Sequence, residues 1–328
     1  MKFSVLGTGR MAGKMADTTI AHMDDVRAYA AASRSPEKAR DFAAAHGFEK
    51  AYGSYEELLA DPETELVYVA TPHSEHYANA KDCLLHGKHV LMEKAFTMNA
   101  AQAEELIALS EEKHLLLAEA IWTRYMPSRQ ILTDLLASGV IGRVHSMTAN
   151  LGYPVTHKAR LTDPALGGGA LLDVGVYPLH LALMVMQSEV TGLSSTAVLY
   201  PTGVDAVNST TLRFADGAMA VLNSSMCSMY DSEANIYGEK GFLQIQNVNN
   251  PEEIRLYDNH YQFIERYEIP REGSGYVYEI RACMQAIAEG RTECPQMPHS
   301  EILRVMRLLD RIRESWAQMP SERDFDKQ

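Results

Sequence analysis

At 328 residues the chain is too long for one small core, and roughly 150 residues per domain divides it into two. Thirty Lys and Arg against 43 Asp and Glu leave a net charge of −13, which disfavours sequence-independent binding to nucleic acid or anionic lipid and favours a small-molecule partner. With 46% hydrophobic and 22% charged residues, the chain is neither disordered nor disulfide-dense in composition.

The amino terminus passes from Met1-Lys2 directly into Phe3-Ser4-Val5-Leu6 and a glycine turn. No signal-peptide pattern is present there, and a cytoplasmic location is expected. No apolar stretch reaches about 18 residues, so no membrane span is expected. Cys83, Cys227, Cys283 and Cys294 form no Cys-x-x-Cys pair and read as buried reduced thiols.

From residue 2 to about 119, short apolar runs alternate with helical patterns. Strands are expected at Lys2 to Leu6, Arg27 to Ala32, Leu66 to Ala70, His89 to Met92 and Leu115 to Glu119. Between them, Ser35-Pro36 opens a helix that Gly47 closes, while Ser54 with Glu57 and Asn99 with Gln102 mark two further starts. This alternation predicts a doubly wound parallel sheet, a Rossmann domain over residues 1–120.

The second half, 121–328, alternates apolar with polar residues around tight turns at Asp216-Gly217, Gly238 to Gly241 and Asp258-Asn259. These predict consecutive antiparallel hairpins. With helical patterns at 126–138, 170–187, 276–289 and 300–316, this half is expected to be an α+β domain whose large, mainly antiparallel open sheet carries helices on one face. An apolar uncovered face would call for a partner, so a homodimer is expected. The tail after Pro320 reads as disordered.

Gly7-Thr8-Gly9-Arg10-Met11-Ala12 follows the first strand and opens a helix, the context of a dinucleotide fingerprint: a tight turn, a close backbone approach, and a small residue for helix packing. A pyrophosphate would meet the free N–H groups of that helix's N-terminus. The second strand ends in Ser33-Arg34, not in the Asp or Glu that would hydrogen-bond an NAD ribose; a hydroxyl and a guanidinium suit a 2′-phosphate, which predicts NADP. Glu93-Lys94 ends another strand at the sheet edge where such folds bind ligands. Asp173 and Tyr177 stand four apart on an apolar helix, which places both on one face and, as buried polar groups, beside a cavity.

A metal is not expected: His73, His76, Cys83, His86 and His89 crowd one stretch, but a loop, a helix and a strand divide them, and no ligand quartet forms by spacing.

Thr71-Pro72-His73-Ser74-Glu75-His76, the Glu93-Lys94 pair and Asp173-x-Gly175 resemble the Gfo/Idh/MocA oxidoreductase family over nearly the whole chain. Glu119 to Pro127, and Arg160 to Pro164 leading into Gly167 to Asp173, are similar to its branch of dihydrodiol and NADP-dependent D-xylose dehydrogenases. Ala95 replaces the proline that follows the Glu-Lys pair in most of the family, Tyr177 replaces a common His as in that branch, and Tyr125 stands where the branch has Phe. The resemblance implies a dehydrogenase acting on a sugar, such as an aldose, or a cyclic trans-diol. It adds Thr71, Pro72, His73, His76 and Glu93 to the cofactor site, with Trp122, Arg124, Arg160, Tyr177 and His180 as substrate contacts. Among the residues it brings together, Tyr177 is expected to move the hydroxyl proton, Lys94 to depress the phenol's pKa and hold the substrate oxygen, and Asp173 to orient the lysine or a neighbouring hydroxyl. The competing readings are a catalytically silent dinucleotide sensor, which has no need of those three groups, and an NAD enzyme of net non-redox chemistry, which Ser33-Arg34 disfavours.

Overall fold

The computed structural model describes residues 1–317; the tail expected to be disordered after Pro320 lies outside the described residues. Two compact units divide the chain: residues 1–127 with 270–306, and residues 128–269 with those from 307 onward.

In the first unit the chain runs β1 (Lys2–Leu6), α1 (Arg10–Thr19), β2 (Arg27–Ala32), α2 (Pro36–His46), β3 (Lys50–Tyr52), α3 (Tyr55–Ala60), β4 (Leu66–Val69), α4 (His73–Leu85), β5 (His89–Glu93), α5 (Ala100–Lys113) and β6 (Leu117–Ala120). The strands form one parallel sheet in the order β3-β2-β1-β4-β5-β6. Phe3, Val5, Leu6, Leu66 to Val69 and Val90 to Met92 are fully buried, as a sheet covered on both faces requires. The caps lie where the side-chain oxygens predict them: Ser35, Ser54 and Asn99 accept from the N–H groups of Lys38, Glu57 and Gln102. Strand β3 was not expected; at three residues it is too short to show a period.

The second unit contains α6 (Pro127–Ala137, from its second residue on), β7 (Val144–Gly152), α7 (Ala159–Thr162), a π-helical turn (Leu171–Gly175), α8 (Val176–Val185), β8 (Val190–Leu199), β9 (Asp205–Phe214), β10 (Met219–Ser225), β11 (Ala234–Gly238), β12 (Gly241–Ile245), β13 (Glu253–Asp258) and β14 (Phe263–Glu268). Its eight strands run in the order β14-β13-β12-β11-β7-β10-β9-β8. The three expected hairpins are β9–β10, β11–β12 and β13–β14. A parallel pairing of β7 with β10 joins them into one mixed sheet, and β7 and β8 lacked clear turn signals.

Two helices follow, α9 (Val277–Ala288) and α10 (His299–Ala317). A single cut near residue 120 is therefore corrected: 270–306 return to the first unit. There the Leu117 N–H donates to the Thr292 carbonyl at 2.9 Å, which occupies the otherwise open edge of β6.

Three further expectations change. The run Pro164–Val185 is long and apolar enough to cross a membrane by composition, though 78% of its most apolar window is buried inside the protein, as in a core helix. The uncovered sheet face is not uniformly apolar: Thr148, Asn150, Ser209, Thr211 and Asn223 occupy its middle, and Tyr237, Phe242, Tyr257 and Phe263 gather at one end. Cys227 is exposed, while Cys283 and Cys294 are buried with their sulfurs 3.9 Å apart.

Candidate active site

The fingerprint forms the turn between β1 and α1. Gly7 has φ +99°, and a Cβ there would lie 2.9 Å from the Ala70 carbonyl oxygen, so only glycine lets the turn pass the end of β4. Its N–H donates to the Ala32 carbonyl, tying the turn to β2 as well. Ala12 is fully buried, whereas Gly9 and Arg10 are exposed and Thr8 half-buried. The first N–H groups of α1 thus face an open cradle of bare backbone, which fits a dinucleotide pyrophosphate. Met11 is half-buried beside it.

At the end of β2, Ser33 is buried and its hydroxyl accepts from the Ser35 N–H at 3.4 Å. Arg34 is exposed, and its charge acts on the half-buried Tyr55 phenol. The residues that follow β2 are Ser33, Arg34 and Ser35, with the guanidinium exposed.

The ends of β4 and β5 carry Thr71-Pro72 and Glu93-Lys94. Lys94 is half-buried, and the Lys94–Ala95 peptide is cis although Ala95 is not proline. His76 was expected against the cofactor; the structure instead buries it completely. Its Nδ1 lies 2.9 Å from the Ala95 carbonyl and its Nε2 3.0 Å from the Thr71 carbonyl, so the ring braces the two loops from beneath. Burial, with a smaller effect from Lys94, pushes its pKa below the ordinary imidazole range. His73 is also buried, edge-on to His76, and Asn79 donates to the Thr71 hydroxyl.

Below Lys94 lies a buried acidic and phenolic group. The Tyr68 hydroxyl donates to Glu93. Burial, then the charge of Glu93, holds the Glu279 carboxyl far above its usual value, and burial lifts that of Glu119 to about 8 against the pull of Arg124, the Phe96 N–H and Lys94. In both carboxyls burial favours the protonated form. Arg124, expected to line the substrate wall, is buried and paired with Glu301, in the first turn of α10, at 3.1 Å. Trp122 stacks on Tyr276, with centroids 4.5 Å apart and planes at 19°, so that face of the indole is closed to a sugar ring. Tyr276 and Glu279, which sequence reasoning missed, enter through the returning segment and carried no spacing signal.

In the second unit, the π turn holds Asp173 and α8 holds Tyr177. The turn's extra residue removes the strict i, i+4 relation expected of a continuous α-helix. Asp173 accepts from the Arg160 guanidinium at 3.1 Å, with Arg160 two-fifths exposed and Asp173 mostly covered. Tyr177 is partly buried against the apolar cluster that includes Leu151, Val174 and Met226. His180, expected beside the substrate, is completely buried within α8 and belongs to its packing. Among the described residues, no group of three His, Cys, Asp or Glu side chains is placed to hold a metal ion.

Comparison with known proteins places this geometry. The profile of the oxidoreductase family with an NAD-binding Rossmann fold matches residues 1–120, and that of the GFO/IDH/MocA C-terminal domain matches residues 130–244. The chain belongs to the Gfo/Idh/MocA oxidoreductase family. It is 32% identical over 325 residues to trans-1,2-dihydrobenzene-1,2-diol dehydrogenase of Xenopus laevis, covering 95% of this chain and 97% of that one. The human protein of the same name is 33% identical, at 87% of each chain. KijD10, a 3-ketoreductase from Actinomadura kijaniata solved with NADP and TDP-benzene, superimposes with a TM-score of 0.86 at 28% identity, over 96% of this chain and 98% of that one. The protein is thus an enzyme of this family, an oxidoreductase that acts on CH–OH groups with a nicotinamide dinucleotide.

Proposed function

We propose that the enzyme is an NADP-dependent dehydrogenase of a sugar, such as an aldose, or of a cyclic trans-diol. One observation carries the reading: the bare-backbone turn after β1, the exposed guanidinium after β2 and the half-buried ammonium after β5 all lie at the carboxyl edge of one parallel sheet. Gly7 to Ala12 would hold the pyrophosphate, and Arg34 the 2′-phosphate through charge-assisted hydrogen bonds. The name of the curated relatives supports a cyclic trans-diol substrate, and the NADP bound to the ketoreductase supports the phosphate-bearing coenzyme.

Gly7 to Ala12 and Arg34 would hold NADP, which when bound would supply hydride transfer to and from the carbinol carbon. Lys94 donates a hydrogen bond to the reacting oxygen and stabilises charge that develops there. Tyr177 takes the hydroxyl proton in oxidation and gives it back in reduction. Asp173, held by Arg160, accepts from a neighbouring substrate hydroxyl, while other N–H groups of Arg160 can donate to another.

NADP reduction measured against aldoses, cyclic trans-diols and inositols tests the reading. Lys94→Ala and Tyr177→Phe should each lower kcat by about 10²-fold or more. Arg34→Ala should weaken NADPH binding about tenfold and leave NADH binding unchanged. No turnover with any member of the panel would favour the silent sensor. Full turnover in Tyr177→Phe with loss in Lys94→Ala would move the proton to Lys94. The aromatic end of the open sheet, with Phe263 and Ile264 more than half exposed, supports a homodimer through this face, and a monomer in light scattering at micromolar concentration would overturn it.

A further inference from the structure

The start of the helix that carries Tyr177 is pinned by a side chain that makes no part of the proposed chemistry. Asp205, the first residue of β9, is 7% exposed. Its Oδ2 accepts from the Leu171 N–H at 2.7 Å, where the π turn begins, and from the Asn208 side-chain amide at 2.7 Å. The chain is shaped around this carboxylate. Gly169 has φ +115°, and a Cβ on it would stand 2.2 Å from Asp205 Oδ1. Four residues beyond Leu171, a Cβ on Gly175 would stand 2.8 Å from the Ser224 hydroxyl, so the turn also meets β10 without clearance.

A helix start leaves its first N–H groups without intrahelical partners, and a carboxylate there is favoured by both hydrogen bonding and the helix dipole. Arg313 is the charged group that acts on Asp205 from α10, and Asp173, inside the turn, is already engaged by Arg160. Between the two contact points, Leu171 and Gly175, the backbone has one rotation about its axis, and that rotation sets the direction of a side chain two residues later.

We propose that Asp205 is a positioning residue for Tyr177: by accepting the Leu171 N–H it fixes the π turn, and the turn fixes where the phenol points. The inference rests on the reading of Tyr177 as the proton carrier. It does not extend to the coenzyme, whose fingerprint belongs to the other unit.

A double-mutant cycle separates positioning from general stability. D205A should lower kcat at least about tenfold, since misplacement of a reacting group by a distant change is enough for such a loss. NADPH affinity, measured by fluorescence titration, should stay within about twofold. D205N, whose amide oxygen can accept the same N–H, should recover kcat to within about threefold of the parent. In the Y177F background D205A should add no further loss, because the group it aims is gone. If D205A does not fold, N208A, which removes the donor that orients the carboxylate, should give a smaller loss that also vanishes in Y177F. A D205A or N208A loss that multiplies fully with that of Y177F overturns the positioning role and leaves Tyr177 as the proton carrier. D205N as slow as D205A also overturns it. Full turnover in Y177F alone overturns the reading of Tyr177 and this inference with it.

Discussion

Each unit holds a little-exposed aspartate at a joint of its sheet, and the pKa values of the two carboxyls are shifted in opposite directions. In the first unit Asp61 follows α3 and accepts from the Tyr29 and Tyr52 hydroxyls, the Glu63 N–H and the Lys50 ammonium. Burial alone would raise its pKa, but those donors, Lys50 foremost, hold it well below the usual carboxylate range. In the second unit Asp205 is buried about as deeply, yet receives one backbone N–H and one amide, and burial wins: its carboxyl is pushed up to about 6. The comparison shows how a cationic partner and several donors outweigh the desolvation of Asp61, while two neutral donors do not outweigh that of Asp205.

The sharpest way to break that contrast is Asp61→Ala. Removing the acceptor leaves two phenols and an ammonium without their common partner, and the unfolding free energy in urea should fall by roughly 3–5 kcal/mol. The next effect concerns pH. Asp61, depressed in the fold, contributes stability that is present above its unfolded value of about 4 and is lost as the pH falls below it. Asp205, raised in the fold, contributes stability that is fully present below about pH 4 and is lost as the pH rises through about 6. At 1.36 kcal/mol per pKa unit, the Asp205 contribution changes by about 3 kcal/mol over that window, and Asp205→Asn should flatten the stability profile there. A parent profile that rises steadily from pH 4 to 6 and is unmoved by the substitution would refute the assignment. The smallest effect sharpens the comparison from the other side. Lys50→Met leaves Asp61 with neutral donors only, like Asp205, and should shift the acid limb of unfolding to higher pH; because Lys50 is more than two-fifths exposed, the stability change at pH 7 should stay near 1 kcal/mol.

Much of the first unit was legible because its signals are local. Ser35, Ser54 and Asn99 cap the helices they were expected to cap, and four of the five expected strands lie within a residue of their places, the fifth beginning at Leu117 and not at Leu115. The glycine turn and Lys94 could be placed at one sheet edge from strand order alone. The second unit was read through its turns, so the three hairpins emerged and β7 did not, since it pairs with β10 across some 70 residues of chain. The candidate site divides the same way. A motif marked Asp173 and Tyr177 as candidates, but nothing local marked the π turn before Tyr177, whose first N–H bonds to Asp205 more than 30 residues away.

A caps pattern, a hydrophobic period or a glycine turn acts within a few residues, where covalent geometry restricts the backbone; the Rossmann unit, its dinucleotide turn and the family's landmark residues were therefore written in the order of amino acids. Whether a charged side chain works at the surface or inside depends on which distant groups surround it. That is why only the folded chain reveals that Arg124 is spent on Glu301, that His76 braces the Lys94 loop from beneath, that residues 270–306 close the edge of β6, and that Asp205, among 43 acidic residues with no motif to mark it, holds the start of the Tyr177 helix.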